Sequence, residues 1–211
     1  MIKSKKLSNV KNLKHGFFNS VGGKSKDIYK SLNCGPGSKD FSSTVKKNLK
    51  IVKKKIDKKS KDIFLLNQIH SNKFIFINDK YNLKIKPNVD AVVTSQKKLP
   101  IAVLTADCVP ILICDNKKMM IAAIHAGWKG AYKGIIDKVI KFMIKKGCSL
   151  KNITAAIGPS ISVNNYEVKN DFKKKLLKKD KKNLKYFKIS KNKLYFDLNR
   201  YVHSLILSNK I

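Results

Sequence analysis

Ile111-Leu112-Ile113-Cys114 and Met119-Met120-Ile121-Ala122-Ala123-Ile124 are two apolar runs separated by the polar stretch Asp115-Asn116-Lys117-Lys118. Short runs of this composition, joined by a few turn-forming residues, are typical of two β-strands in a hairpin. Residues 111–124 therefore predict the antiparallel centre of a sheet.

Further short β-type runs lie on both sides of the hairpin, and clusters of Asn, Asp, Pro and Lys separate them at hairpin-like distances. A mixed, largely antiparallel sheet is the simplest arrangement of such runs. An irregular, glycine-rich region is predicted for residues 16–37. The predicted additional strands are residues 63–69, 74–77, 89–94, 101–105, 153–157 and 194–196.

Several segments carry apolar residues at helical spacing. Ser42 and Ser43 are candidate caps for the first helix, Gly147 is a stop for the second, and Asp197 can cap the last. Helices packed on a mixed sheet define an α+β fold, and 211 residues suit a single domain, 1–211. The predicted helices are residues 45–56, 135–144, 168–177 and 198–206.

Bulk composition narrows the class of protein. A hydrophobic fraction of 43% predicts a globular core, and no apolar run is long enough to span a membrane. Four cysteines at unrelated spacings, without a CxxC pair or a secretion signal, argue against a disulfide framework. These features predict a cytoplasmic protein without a membrane partner.

The net charge of +34 is a feature that nucleic-acid-binding proteins share. Arg200 is the only arginine, however, whereas readers of bases and phosphates favour the bidentate guanidinium group. The lysines are also spread along the whole chain. We therefore expect weak, nonspecific attraction to polyanions and no specific nucleic-acid partner, with a nonenzymatic polyanion-binding protein as an alternative function.

His70, Cys108 and His125 each follow or end an apolar run. Strand ends are positions where side chains of neighbouring strands converge at a rim. Two imidazoles and one thiolate suit a catalytic zinc, which keeps a fourth position open for water or substrate. From spacing alone, the alternative that the three residues are unrelated buried or hydrogen-bonded side chains stays open.

Taken together, the motifs of this chain resemble the YfiH-like enzymes, a family described both as laccase-like multicopper polyphenol oxidases and as purine nucleoside phosphorylases. The resemblance extends over nearly the whole chain and keeps the family's order. It rests on His15-Gly16-Phe17-Phe18, Gly22-Gly23-Lys24-Ser25, Ser31-Leu32-Asn33, Asn67-Gln68-Ile69-His70, Val89-Asp90-Ala91-Val92-Val93-Thr94, Thr105-Ala106-Asp107-Cys108-Val109-Pro110, His125-Ala126-Gly127-Trp128-Lys129-Gly130, Ile157-Gly158-Pro159 and Tyr166-Glu167-Val168.

The resemblance implies a single α+β domain, related to a toxin deamidase fold, whose Zn²⁺ is held by His70, Cys108 and His125. It further implies purine nucleosides and phosphate as substrates, with phosphorolysis of adenosine, inosine, guanosine or methylthioadenosine and deamination of adenosine. Asp107 is a candidate for handling protons beside Cys108 and His125. A monomer is expected.

Four other positions are predicted to bind substrate. The pair Gly22 and Gly23 forms a candidate cradle for phosphate, because glycine loops expose backbone amides to anions. Gln68 and Gly127 stand in the motifs that carry the two histidines. Gly127 would let a ligand approach the backbone.

The chain departs from the family pattern in two places. Ser20 and Val21 stand where the family has an arginine before its paired glycines, which predicts weaker phosphorolysis than deamination. The sequence given ends at Ile211, before a further cysteine-containing strand and an arginine-rich motif of the family. The expectation is a domain that lacks this C-terminal segment.

Two other enzymatic interpretations remain. A copper polyphenol oxidase is suggested by the older family description, but multicopper oxidation needs more histidines than the four present, His15, His70, His125 and His203. The related toxin deamidases suggest a nonmetal site, in which Cys108 is a nucleophile and His125 is its base.

Overall fold

A five-stranded mixed sheet forms the centre of the computed structural model, which describes residues 1–211. Its strands lie in the order β1-β2-β4-β3-β5, and only β1 and β2 are parallel. The predicted hairpin is confirmed, since β3 and β4 pair with Ile111 opposite Ile124. The strands are β1 (Phe74–Ile77), β2 (Ala91–Thr94), β3 (Val109–Asp115), β4 (Met120–Ala126) and β5 (Ile153–Ile157).

Six α-helices and a small second sheet complete the α+β fold. The second sheet pairs β6 (Phe187–Ser190) with β7 (Lys193–Phe196), and β6 was not predicted from the sequence. The helices are α1 (Lys5–Ser8), α2 (Ser42–Ile56), α3 (Trp128–Tyr132), α4 (Ile135–Lys145), α5 (Asn170–Lys179) and α6 (Leu198–Ser208).

The main core lies between one face of the central sheet and the helices α4 and α6. Helix α4 buries its apolar residues on one side, as its spacing predicted, and Gly147 follows its end with a φ of +90°. A second cluster covers the other sheet face, where Val92 and Ala123 pack with Phe64 and Leu66. Burial on both faces explains why the strands are continuous apolar runs without alternation.

Two predicted strands, residues 63–69 and 101–105, are wrong. These segments form only isolated parallel bridges, Phe64 with Ile101 and Asn67 with Asn88. Beyond the first bridge, the side-chain amide of Gln68 takes the place of a strand partner. It donates to the Leu104 carbonyl at 2.7 Å and accepts from the Leu104 N–H at 2.7 Å, which interrupts a continuous backbone ladder.

Helix boundaries also differ from the sequence predictions. Helix α2 begins at Ser42 after Phe41, without a capping side chain, so the predicted serine cap is wrong. Helix α5 begins at Asn170, because the Val168 N–H donates to the Leu194 carbonyl and keeps residue 168 extended. The Asp197 cap is confirmed, with its carboxylate accepting the Arg200 N–H at 2.9 Å. None of the helices has the length and apolar composition of a membrane span.

Candidate metal centre

His70, Cys108 and His125 converge at one edge of the central sheet. His70 lies in the loop before β1, Cys108 directly precedes β3, and His125 lies near the end of β4. Because Pro110 pairs with His125 across the hairpin, the first residues of β3 bring Cys108 to the end of β4. The candidate ligand atoms of the three side chains all lie within 4.8 Å of one another.

The three side chains differ in burial. His125 is buried, Cys108 is half-buried and His70 is exposed. The imidazole rings stand edge to face, with centroids 4.8 Å apart, and Cys108 Sγ lies 3.9 Å from His70 Nε2. The cluster is therefore anchored in the core on one side and open to solvent on the other, which is the arrangement that an exchangeable fourth ligand requires.

Asp90 joins the two histidines and is the residue that the sequence interpretation missed. It directly precedes β2, is fully buried, and accepts the backbone N–H groups of His70 at 2.9 Å and Ser71 at 2.6 Å. The Ser71 hydroxyl also donates to it at 2.7 Å. These bonds hold His70 in the left-handed backbone region, at a φ of +56° that non-glycine residues seldom adopt.

The same carboxylate orients His125. Asp90 Oδ1 lies 2.8 Å from Nδ1 of His125, and the His125 N–H donates to the Asp90 carbonyl at 2.8 Å. With Nδ1 engaged in this way, Nε2 is the atom that remains for a ligand. A buried acid in an apolar run requires a partner, so Asp90 within Val89-Asp90-Ala91-Val92 was the signal that the sequence contained.

Charge interactions across the cluster are strong. Burial by itself lowers the pKa of His125, but the hydrogen bond to Asp90 and the neighbouring Cys108 outweigh burial and raise this pKa to about 9. Burial opposes ionisation of Asp90, yet its hydrogen bonds with His125 and Ser71 hold its pKa at about 2. The carboxylate is thus charged at neutral pH, and a metal that binds His125 must displace a proton.

Gly127 leaves room beside the ligands. A Cβ atom at this position would lie 3.0 Å from Cys108 Sγ and 3.0 Å from His70 Cδ2. Such contacts are shorter than ordinary van der Waals separations, so only glycine fits without moving a ligand. Two of the candidate metal ligands are thus the neighbours of Gly127, and its predicted contact with substrate stays a prediction.

The donor set fits a single zinc ion. Ideal tetrahedral coordination by two imidazole nitrogens and a thiolate sulfur places these atoms about 3.3–3.8 Å apart. The observed separations, 3.9 Å for the Cys108–His70 pair and at most 4.8 Å within the cluster, require a contraction of at most about 1.5 Å. The exposed side chain of His70 can supply that movement.

Asp107 and Tyr166 flank Cys108. Asp107 is exposed, and its carbonyl accepts the Ile161 N–H at 2.9 Å, which ties the segment before Cys108 to the Gly158-Pro159-Ser160 turn. Burial raises the pKa of Tyr166 to about 12, with further contributions from Cys108 and Asp107. Asp107 is therefore an exposed polar residue next to Cys108, on the open side of the cluster. Tyr166 is a further neighbour of Cys108, and the sequence assigned it no role.

The other residues predicted to bind substrate have structural partners. Gln68 bonds through both of its amide atoms to the Leu104 backbone, so it fixes the segment that leads to Cys108. The N–H groups of Gly22 and Gly23 donate to the Ser31 hydroxyl at 3.0 and 3.1 Å. Their contact with substrate stays a prediction, and these two amides already have an acceptor.

The two remaining histidines lie outside the cluster. His15 is buried and accepts the Ser4 N–H through Nε2 at 2.9 Å, whereas His203 is exposed on α6. His70, Cys108 and His125 form the only group of three or more His, Cys, Asp or Glu side chains in residues 1–211 that is close enough to hold a metal ion.

Comparison with known proteins connects this geometry to one family. Residues 14–211 match the family model described as multi-copper polyphenol oxidoreductase laccase. The chain is 38% identical over 146 residues to a purine nucleoside phosphorylase of Rickettsia prowazekii, covering 68% of this chain and 59% of that protein. It is 32% identical over 176 residues to a purine nucleoside phosphorylase of Bacteroides thetaiotaomicron, covering 80% and 65%.

Solved structures show the same fold. The hypothetical protein YfiH of Bacillus licheniformis superposes with a TM-score of 0.82 at 26% identity, covering 90% of this chain and 74% of that one. A Neisseria meningitidis protein of the DUF152 family superposes with a TM-score of 0.77 at 33% identity, covering 89% and 74%. By contrast, the chain spans only about three fifths of the length of the two purine nucleoside phosphorylases described above.

Proposed function

The chain belongs to the multi-copper polyphenol oxidoreductase laccase family, and from this membership we propose that it is a zinc-dependent purine nucleoside phosphorylase. The proposal includes adenosine deamination and methylthioadenosine phosphorolysis. One observation carries it: His70, Cys108 and His125 converge around an open position, and the buried Asp90 holds both histidines. The two relatives named purine nucleoside phosphorylase support the substrate class.

Zinc is the proposed metal because two imidazoles, one thiolate and an open position form a typical catalytic zinc donor set. When bound, zinc would supply a Lewis acid that polarises the purine or an attacking water. Copper also accepts this donor set, but a multicopper oxidase needs several copper sites, and residues 1–211 contain one suitable cluster. Among the metal-dependent activities, we therefore rank copper-dependent polyphenol oxidation below the zinc-dependent reactions.

The residues of the chain have separate roles in this proposal. Asp90 keeps the Nδ1 proton of His125 in place, so that Nε2 faces the metal. Asp107, exposed beside Cys108, carries a proton to or from the purine. Gly127 allows Cys108 and His70 to lie against its backbone, where a larger side chain would displace them from the centre.

Phosphate is the substrate that this chain is least equipped to hold. The Gly22 and Gly23 amides donate to Ser31, and Ser20 replaces the family arginine with an exposed hydroxyl. Lys24 follows the glycines and offers a point charge in place of a bidentate guanidinium group. We infer that the activity is shifted toward deamination, which uses water and needs no phosphate.

A metal-free cysteine mechanism is the second candidate function. Asp90, His125 and Cys108 stand in the order acid, imidazole and thiol, and Asp90 fixes the tautomer of His125 as the acid of a nucleophilic triad does. In this alternative, the Cys108 thiolate adds to the substrate carbon that bears the amine, His125 protonates the departing amine, and water then hydrolyses the covalent intermediate and releases the thiolate. His70 then has no ligand role, although Asp90 holds its backbone as well.

The proposed setting is a cytoplasmic monomer with purine nucleosides and phosphate as small-molecule partners. All four cysteines are free thiols, which suits a reducing compartment. The lysine-rich surface is proposed to attract polyanions weakly and without sequence specificity.

Metal analysis of the purified protein, combined with a nucleoside turnover screen with and without phosphate, tests the proposal. We expect one zinc per chain, adenosine deamination in both buffers, and slower phosphate-dependent release of purine base. Stoichiometric copper with oxidation of a polyphenol would overturn the assignment. Full turnover after complete metal removal, abolished by alkylation of Cys108, would support the cysteine mechanism instead.

A further inference from the structure

A lysine-lined cavity of about 450 Å³ lies between α2 and the loop that carries Gly22 and Gly23. None of the three candidate metal ligands lines it. Four of its six lining residues are lysines, one is a threonine and one is apolar. The lining residues are Lys24, Thr44, Lys47, Lys50, Ile51 and Lys54.

Both walls of the cavity are fixed by hydrogen bonds. Lys47, Lys50 and Lys54 recur at spacings of three and four residues, which places them on one face of α2. Opposite them, the Lys24 N–H donates to Oδ1 of Asn48 at 2.7 Å. Asn48 is fully buried in α2, and its Nδ2 also donates to Ser25 Oγ at 2.8 Å. The backbone of the loop at Lys24 is therefore held against α2.

The charges in this cavity lack carboxylate partners. Lysine is abundant throughout the chain, so its number alone carries no information. Nearby, however, Lys53 pairs with Asp62 at 2.9 Å and Lys14 pairs with Asp57 at 3.2 Å, whereas no Asp or Glu lines the cavity. Four lysines around one concavity place several positive charges at one site, and an anion with several negative charges would balance them.

We propose that this cavity binds a small oligophosphate, such as the phosphate chain of a nucleoside triphosphate. The volume falls within the range of small-molecule sites, roughly 300–1,000 Å³. Four ammonium groups match the roughly four negative charges of a triphosphate, and the Thr44 hydroxyl adds a hydrogen-bond donor. Ile51 is the single apolar residue in the lining, so the phosphate chain is recognised rather than the base. The site shares Lys24 with the loop proposed to hold phosphate in phosphorolysis, but the helix lysines are additional to that proposal and the site does not depend on the metal.

Isothermal titration calorimetry with tripolyphosphate, ATP and inorganic phosphate near physiological salt tests the site. The cavity variant is Lys47→Gln with Lys50→Gln. The control variant, Lys46→Gln with Lys58→Gln, removes the same charge outside the lining. We expect tripolyphosphate and ATP to bind the original chain and to lose at least about tenfold in affinity in the cavity variant, with less than about twofold loss in the control. Similar affinities for the two ligands would identify the phosphate chain as the recognised group, whereas much tighter binding of ATP would overturn recognition of the phosphate chain alone.

Equal losses in both variants would overturn the proposal, because they would show generic attraction to the lysine surface. Absence of tripolyphosphate binding would overturn it as well, including the case in which only an RNA oligonucleotide binds. Thermal melting of both variants verifies that they fold. Zinc content and nucleoside turnover are measured on the same samples, so that failure of the proposed enzymatic function is distinguished from failure of this site.

Discussion

Asp90 Oδ1 lies 2.8 Å from Nδ1 of His125, and the same oxygen accepts the backbone N–H of His70 at 2.9 Å. One buried carboxylate therefore sets the tautomer of His125 and the backbone conformation of His70. Hydrogen bonds of this kind typically contribute about 10- to 100-fold to metal affinity.

Substitution of Asp90 by asparagine should weaken zinc binding by about 10- to 100-fold, because the amide removes the charge that orients His125. Competition with a chromogenic chelator measures the affinity. Asp115→Asn is the matched control, since Asp115 is also fully buried and accepts three backbone N–H groups remote from the ligands. Equal loss of zinc affinity in the two variants would show that Asp90 acts only through folding.

Substitution of Cys108 by alanine should abolish both metal retention and turnover, because the thiolate carries the ligand charge. Metal content and adenosine turnover are compared with those of Cys34→Ala, which removes another half-buried free thiol. A Cys108→Ala protein that keeps stoichiometric zinc would show that the ligand assignment is wrong. Loss of zinc with full activity would make the metal incidental.

Substitution of Gly127 by alanine should lower zinc affinity by about tenfold or more, because the added Cβ pushes against Cys108 and His70 at 3.0 Å. The backbone at Gly127, with φ −67° and ψ 161°, accepts alanine, so the melting temperature of the metal-free protein should change little. Gly37→Ala is the control, since an added Cβ there has no neighbour within 4 Å. Unchanged zinc affinity in Gly127→Ala would refute the steric argument.

Substitution of Ser20 by arginine should raise phosphate-dependent cleavage, by up to about a hundredfold at fixed phosphate, and leave deamination nearly unchanged. The Ser20 side chain is exposed, and its carbonyl accepts the N–H groups of Ser31 and Leu32, so the change leaves the loop intact. Ser20→Lys should give a smaller gain, because an ammonium group cannot form two parallel hydrogen bonds. Equal gains in both reactions would refute the prediction that this loop binds phosphate.

Substitution of His15 by glutamine should reduce the loss of stability on acidification. Burial and the nearby Lys3 lower the pKa of His15 below its usual 6.5. The unfolded chain therefore takes up the proton first, and stability falls as pH drops below about 6.5. Melting temperatures at pH 7.5 and 5.5 are compared with those of His203→Gln, an exposed control. An undiminished pH dependence in His15→Gln would exclude this role.

Much of the fold followed from local sequence. The hairpin of β3 and β4, the helix α4 and the Asp197 cap depend on apolar spacing and on turn or capping residues a few positions apart. The failures arose where a contact between distant residues overrode the local composition. Residues 63–69 have the composition of a strand, but Gln68 bonds to Leu104, 36 positions away, and takes the place of a backbone partner.

By itself, the sequence offered two imidazoles and a thiol at the ends of apolar runs as candidate ligands, and the family resemblance implied that these three residues hold the metal together. Tertiary structure alone decided that His70, Cys108 and His125 lie within 4.8 Å, that Asp90 joins the histidines, and that Ser31 occupies the Gly22 and Gly23 amides. These relations connect residues 8 to 55 positions apart in the sequence. Hydrophobic spacing encodes which side of an element is buried, whereas the partner of a buried polar group depends on how strands and loops pack.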